Sequence, residues 1–108
     1  MGRDPIPLGE FEQMILLAVM QCGDDAYGVT VQEELARRTT RRVASGAIYM
    51  TLDRLEKKGL LSSSLSEPTA ERGGRAKRCY KATRPAIAAL KRSRLALINL
   101  WDGLELAD

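Results

Sequence analysis

Gly46, Met50, Asp53, Arg54 and Lys57 recur at intervals of one, three and four residues, with Ala47, Tyr49, Thr51 and Lys58 beside them. On a helix these positions share one side, small at its start and cationic at its end. Such a face does non-covalent chemistry. Short side chains let a helix sit deep in the major groove of a duplex, while Arg and Lys reach for phosphates. Gly46, Ala47, Met50 and Thr51 stand nearest to base edges, with Arg54 and Lys57 placed for the backbone and Ser45 at the DNA-binding start of the helix. Met and Ala offer bases only apolar contact, so modest sequence selectivity is expected. A second cationic cluster follows at Arg72, Arg75 and Lys77, around the turn-forming pair Gly73-Gly74. Arg75 at that tip is the strongest candidate for a groove or phosphate contact.

The charge distribution sharpens this reading. The formal net charge is only +3. Met1 to Ala36 carries −6, Arg37 to Arg94 carries +12, and the remainder, with Asp102, Glu105 and Asp108, carries −3. A basic middle of this strength can neutralise phosphates and release counterions.

Covalent chemistry finds little support. The chain has no histidine, which removes the commonest general base and metal ligand. No GxSxG, Walker-type or paired-carboxylate arrangement appears, and Gly73-Gly74 is too short to cradle a phosphate. Cys22 and Cys79 lack CxxC spacing and read as small buried apolar residues, with neither a zinc site nor a disulfide expected. No enzyme activity, catalytic residue, cofactor or metal is therefore expected. The longest apolar run, Met14 to Met20, is far short of the roughly 20 residues that span a bilayer. With no signal-peptide layout around Asp4, Pro5 and Pro7, a cytoplasmic protein without membrane association is expected.

These side chains need a frame. At 108 residues one domain is expected over 1–108. A first helix is predicted from Leu8, Phe11, Ile15, Ala18, Val19 and Cys22, with Leu16, Leu17 and Met20 as a second apolar face. Gly23, Asp24 and Asp25 stop it. A second helix runs from near Tyr27 to about Arg38, with Val31 and Leu35 inward, and Thr39-Thr40 break it. Ser45 is expected to cap a third helix with Ile48, Leu52 and Leu55 buried, ended by Gly59. Leu60 to Leu65 and Lys77 to Ala82 then read as two strands of a hairpin. Thr83, with Pro85 behind it, caps a last helix reaching to about Leu104.

The expected fold is mainly α with a small β-hairpin: a winged helix-turn-helix over 8–82, then a C-terminal dimerisation helix over 83–106. The reason for dimerisation is compositional. Beyond Arg94 the only polar positions of the last helix are Asn99, Asp102 and Glu105, so nearly its whole circumference is apolar. Phe11, Leu16 and Met20 of the first helix and Leu97, Trp101 and Leu104 of the last are the candidate interface residues between two copies.

Tyr27-Gly28, the block SGAIYMTLDRLEKKGLL from Ser45 to Leu61, and GGRAKRCYKAT from Gly73 to Thr83 together resemble the PadR family of bacterial transcriptional regulators, over roughly Leu8 to Leu90. The resemblance implies a homodimer that binds a pseudo-palindromic operator in double-stranded DNA and acts mostly as a repressor. It implies a phosphate contact for Tyr49 through its hydroxyl, with a tyrosine that packs on the helix flank as the other reading. It also implies, in some members, release of DNA when an aromatic or cationic hydrophobic effector enters the dimer interface beside a tryptophan, here Trp101. A tryptophan that only fills the dimer core is the other reading. The chain departs from the family pattern at Cys79-Tyr80, Ala82-Thr83 and Ala86, and in having Ser45 where proline is usual. The competing reading of the whole is a winged-helix module that binds an acidic protein surface and not specific DNA.

Overall fold

The computed structural model describes residues 8–66 and 77–106. In chain order it has α1 (Glu10–Cys22), a 3-10 turn (Gly23–Asp25), α2 (Gly28–Arg38), α3 (Ser45–Lys57), β1 (Leu61–Leu65), β2 (Arg78–Ala82) and α4 (Arg84–Trp101). The predicted mainly helical fold with one antiparallel hairpin is the observed one. The wing tip, with Arg72, Gly73, Gly74 and Arg75, lies outside the described residues.

Three helices converge on one core. Ile15, Leu16 and Val19 of α1 meet Val31 and Leu35 of α2 and the predicted Ile48, Leu52 and Leu55 of α3. Leu61, Tyr80, Ala86 and Leu90 close it from the hairpin and α4. Leu16 corrects the sequence reading: it is 0% exposed and faces the core, not a partner. The cause is that α1 packs against α2, α3 and β2 at once. Its buried arc is therefore wider than a single stripe, and only Leu17 and Met20 remain outside.

The turns explain how α2 and α3 are held. Thr30 Oγ1 accepts the Tyr27 amide at 2.8 Å and bonds the Asp25 carbonyl, closing the entry to α2. One residue earlier, the Ala26 carbonyl accepts from the Tyr80 amide at 2.9 Å, which ties this turn to β2. At the other end of α3, Gly59 takes φ +78, a conformation in which a β-carbon is strained. Its amide bonds the Glu56 carbonyl at 3.0 Å and the Leu60 amide bonds Leu55 at 2.9 Å, the paired closure expected of a glycine after a helix. The cap of α3 differs from expectation. Ala44 occupies it and Ser45 is already helical, so no side chain caps this helix.

The hairpin follows at once, with Leu61 opposite Ala82, Ser63 opposite Tyr80 and Leu65 opposite Arg78. Thr83 then works twice. Its hydroxyl donates to the Gly59 carbonyl at 2.8 Å and accepts the Ala86 amide at 3.4 Å, so one side chain joins the end of α3 to the start of α4. Ala86 and Leu90 are buried, and Ser93 Oγ donates to Gln13 Oε1 of α1 at 2.8 Å. From Arg94 onward every described residue is exposed. The helix stops at Trp101, short of the expected Leu104, because Asp102 leaves helical geometry and Gly103 reverses the chain at φ +81. Leu104 is therefore not part of the helical stripe. Cys22 and Cys79 are half-buried instead of core residues, and the Cys79 thiol donates to the Asp24 carbonyl at 3.3 Å.

Candidate nucleic-acid interface

With Ile48, Leu52 and Leu55 turned inward, the opposite side of α3 presents Ser45, Gly46, Ala47, Tyr49, Met50, Arg54 and Lys57 to solvent. Met50 is 67% exposed at the middle of this face. Thr51 corrects the prediction. It is 3% exposed, since it follows Ile48 by three residues and precedes Leu55 by four, and so shares their side of the helix.

At the start of α3 the backbone is as open as the side chains. A β-carbon on Gly46 would meet nothing within 4 Å. No side chain caps this end of α3, although the Ala47 amide bonds the Ala44 carbonyl at 3.1 Å, and an anion such as phosphate is favoured at this positive end of the helix dipole. The approach to this end is fixed from two directions. Gln32 Nε2 donates to the Val43 carbonyl at 2.8 Å, and Arg41 pairs with Glu10 of α1. Arg42 between them is exposed. Sequence reasoning passed over Arg41, Arg42 and Gln32; the only signal was two further cations within five residues of Ser45.

The cations of α3 are not equivalent. Lys57 Nζ lies 3.0 Å from Asp53 Oδ2, so part of its charge is already answered. Arg54 enters no ion pair among the described residues. Lys58 is turned away and donates to Glu12 Oε2 at 2.7 Å, fastening the end of α3 to α1. Glu12 is buried, and burial alone would raise its carboxyl pKa; the hydrogen bonds from Lys58 and the Gly9 amide, with the charges of Lys58 and Arg54, outweigh that and hold it below its usual value.

The hairpin is coupled to the same helix. Arg78 Nη1 donates to Ser63 Oγ at 2.8 Å, and the Ser63 hydroxyl donates to Glu56 Oε2 at 2.6 Å, so both strands are linked to α3 through one serine. Lys77 is exposed beside it, its Nζ 5.5 Å from the centre of the Tyr27 ring. Lys77 thus stands at the base of the wing, near the start of α2. Tyr49 and Gly28 complete the join between α2 and α3: the tyrosine ring occupies the place where a β-carbon on Gly28 would project.

The expected interface residues divide. Met20, Leu97, Trp101 and Leu104 are exposed, Phe11 is half-buried against the core, and Leu16 is inside it. Among the described residues, no cluster of three or more metal-binding side chains occurs, and no helix is long and apolar enough to cross a membrane.

Residues 16–92 match the model of the transcriptional regulator PadR-like family. The chain is 40% identical over 77 residues to the transcriptional regulator Rv3488 of Mycobacterium tuberculosis, an alignment that takes in 71% of this chain and 67% of that one. Among solved structures it resembles a PadR-like transcription factor from Bacteroides fragilis, with a TM-score of 0.71 and 26% identity over 83% of this chain and 82% of that one. A PadR family regulator from Eggerthella lenta shares the fold at a TM-score of 0.68 and 23% identity, covering 87% of this chain and 81% of the other.

Proposed function

The chain belongs to the PadR-like family of transcriptional regulators, and from that premise we propose that it is a homodimeric repressor whose α3 enters the major groove of a pseudo-palindromic operator. It is a DNA-binding regulator and not an enzyme. One observation carries the finer reading: the outer face of α3 is exposed along its whole length, small and uncapped at its start and cationic at Arg54 and Lys57. Ser45, Gly46, Ala47 and Met50 approach base edges. Tyr49, Arg54 and Lys57 hold phosphates, helped by Lys77 at the base of the wing. Arg72 and Arg75 extend this contact in the same reading.

Two copies are needed because two recognition helices read successive major grooves only when about 34 to 36 Å apart. The exposed apolar side chains of α4, together with Leu17 and Met20 of α1, support such an assembly. A hydrophobic effector at that interface, beside Trp101, is the proposed release signal.

The test is a gel shift and footprint on the DNA upstream of the protein's own gene. A protected site with two-fold symmetry that survives an excess of random duplex supports the reading. Binding that random duplex abolishes at equal mass, or no binding at low salt, refutes it.

A further inference from the structure

The first two turns of α3, Ser45 to Thr51, hold no Arg, Lys, Asn, Gln, Asp, Glu or His. Those side chains make the paired hydrogen bonds to guanine, adenine and cytosine edges, so the end of the helix that stands deepest in a groove lacks the usual means of reading three of the four bases. Thr51 is buried, and the Tyr49 ring lies against Gly28. What the entering end presents is Ser45, Gly46, Ala47 and Met50, all exposed.

Gly46 is the informative member. Its φ is not positive, so the backbone there would accept another residue, and a β-carbon would meet nothing within 4 Å. Glycine is the weakest helix former after proline, yet nothing inside the chain requires one at this position. The missing side chain matters only to something that approaches from outside. Met50 follows Gly46 by four residues and Ala47 by three. Helical side chains lean towards the N-terminus, which directs the Met50 thioether over the turn that carries both. Together they make a shallow apolar patch: bare backbone at Gly46, one methyl at Ala47 and a flexible thioether at Met50.

Each base meets such a patch differently. Guanine offers O6 and N7, adenine N7 and its N6 amine, and cytosine its N4 amine; pressed on apolar atoms, these polar groups lose water and gain no partner. Thymine alone puts a methyl group into the major groove. Covering that methyl with Ala47 and Met50 is favourable, and the open space over Gly46 lets it come close.

We infer that α3 recognises its operator through the C5-methyl group of thymine, received by Gly46, Ala47 and Met50, with one such thymine in each half-site. This rests on the reading that α3 enters the major groove, and it names the chemical feature read there. Arg54 and Lys57, further along the helix, hold phosphates and leave the choice of base to the patch. Discrimination is about threefold for each methyl and multiplies over the two half-sites.

Deoxyuridine lacks this methyl and is otherwise identical to thymidine, so it isolates the effect. The full chain is used to select duplexes from a random-sequence library, and the thymines common to the selected half-sites are replaced by deoxyuridine one position at a time. At one of these positions the Kd should rise about threefold when one half-site is changed and about tenfold when both are. With M50A the same exchange should matter less than about 1.5-fold, while M50L, which keeps a large apolar side chain, should retain the effect. G46A should melt no lower than wild type yet also lose the preference, because its β-carbon holds the methyl away. Both positions are exposed, so none of these variants disturbs the core. Selected half-sites with no thymine in common, uracil duplexes that bind as tightly as thymine duplexes at every position, or a thymine preference that M50A keeps would each overturn the inference and leave the DNA-binding reading standing. A library from which no sequence is enriched would remove that reading and this inference with it.

Discussion

The Tyr49 ring of α3 fills the space that a β-carbon on Gly28 of α2 would need, with ring carbons and the hydroxyl oxygen as its nearest atoms. Gly28 is helical, so the requirement is steric and not a matter of backbone freedom. Because Tyr49 is half-exposed, Gly28→Ala is relieved most cheaply by swinging the ring outward. Alanine's better helix propensity, at most about 1 kcal/mol, offsets part of the disturbance. Thermal stability should then change by no more than about 1 kcal/mol, while affinity for duplex DNA falls about tenfold as Tyr49 leaves its place on the recognition face. Titrations of G28A, Y49A and the double variant check this. The double should bind like Y49A alone; fully additive losses would disconnect Gly28 from Tyr49.

Asp53 sets the electrostatic balance of α3. It pairs with Lys57 at 3.0 Å and puts a negative charge on the face proposed to meet phosphates, while Arg54 enters no ion pair among the described residues. Arg54→Ala should lower affinity for all duplexes alike and reduce the slope of log K against log salt by about 1. Lys57→Ala should do less, and Asp53→Asn should tighten binding about two- to fivefold at low salt without changing sequence preference. Equal effects of the Arg54 and Lys57 substitutions would show that the Asp53 pair is broken on DNA.

Glu12 gives the fold a pH-dependent fastening between α1 and α3. Its carboxyl is held below its usual value of 4.5 in the folded state. A carboxylate with a depressed folded pKa contributes stability above its unfolded pKa, and loses that contribution as pH falls through the folded one. Glu12→Gln should therefore cost about 1 to 2 kcal/mol at pH 7, where it leaves Lys58 without its anion. The difference should begin to shrink as pH falls below about 4.5 and be lost as pH falls through the depressed folded pKa. Urea denaturation of both proteins at several pH values decides it; a gap independent of pH would mean that the hydrogen bonds matter and the charge does not.

Much of the fold was legible because periodicity and punctuation agreed. Ile48, Leu52 and Leu55 announce the buried side of α3, Gly59 its end, and Thr83-Arg84-Pro85 the start of α4. The misreadings share one cause, which is that a sequence records neighbours along a helix but not how many elements pack on it. Spacing alone places Leu16 and Thr51 on outer faces, whereas α1 and α3 each bury an arc broader than one inward stripe. Ser45 looked like a cap, but the helix begins one residue earlier than its hydroxyl could serve. Of the candidate site, the exposed residues of α3 were legible from spacing. Its supports were not. Glu12 with Lys58, Gln32 with Val43, and Ser63 between Arg78 and Glu56 are contacts between residues far apart in sequence, and no local pattern marks them.

Leu16 and its neighbour Leu17 allow core and interface to be separated by one residue. Leu16 is fully buried, so Leu16→Ala leaves a cavity and should cost about 2 to 5 kcal/mol of stability. Leu17 is half-exposed on the same helix turn, with Met20 beside it on the outer face. Leu17→Ala and Met20→Ala should each change monomer stability by less than about 0.5 kcal/mol. If these side chains meet the partner subunit, each will nevertheless weaken dimerisation about three- to tenfold. Chemical denaturation read at two protein concentrations distinguishes the cases, because a core variant lowers the midpoint at both, whereas an interface variant weakens only the part of the stability that depends on concentration. Leu17→Ala and Met20→Ala proteins that both keep unaltered dimer affinity would take this face of α1 out of the proposed interface.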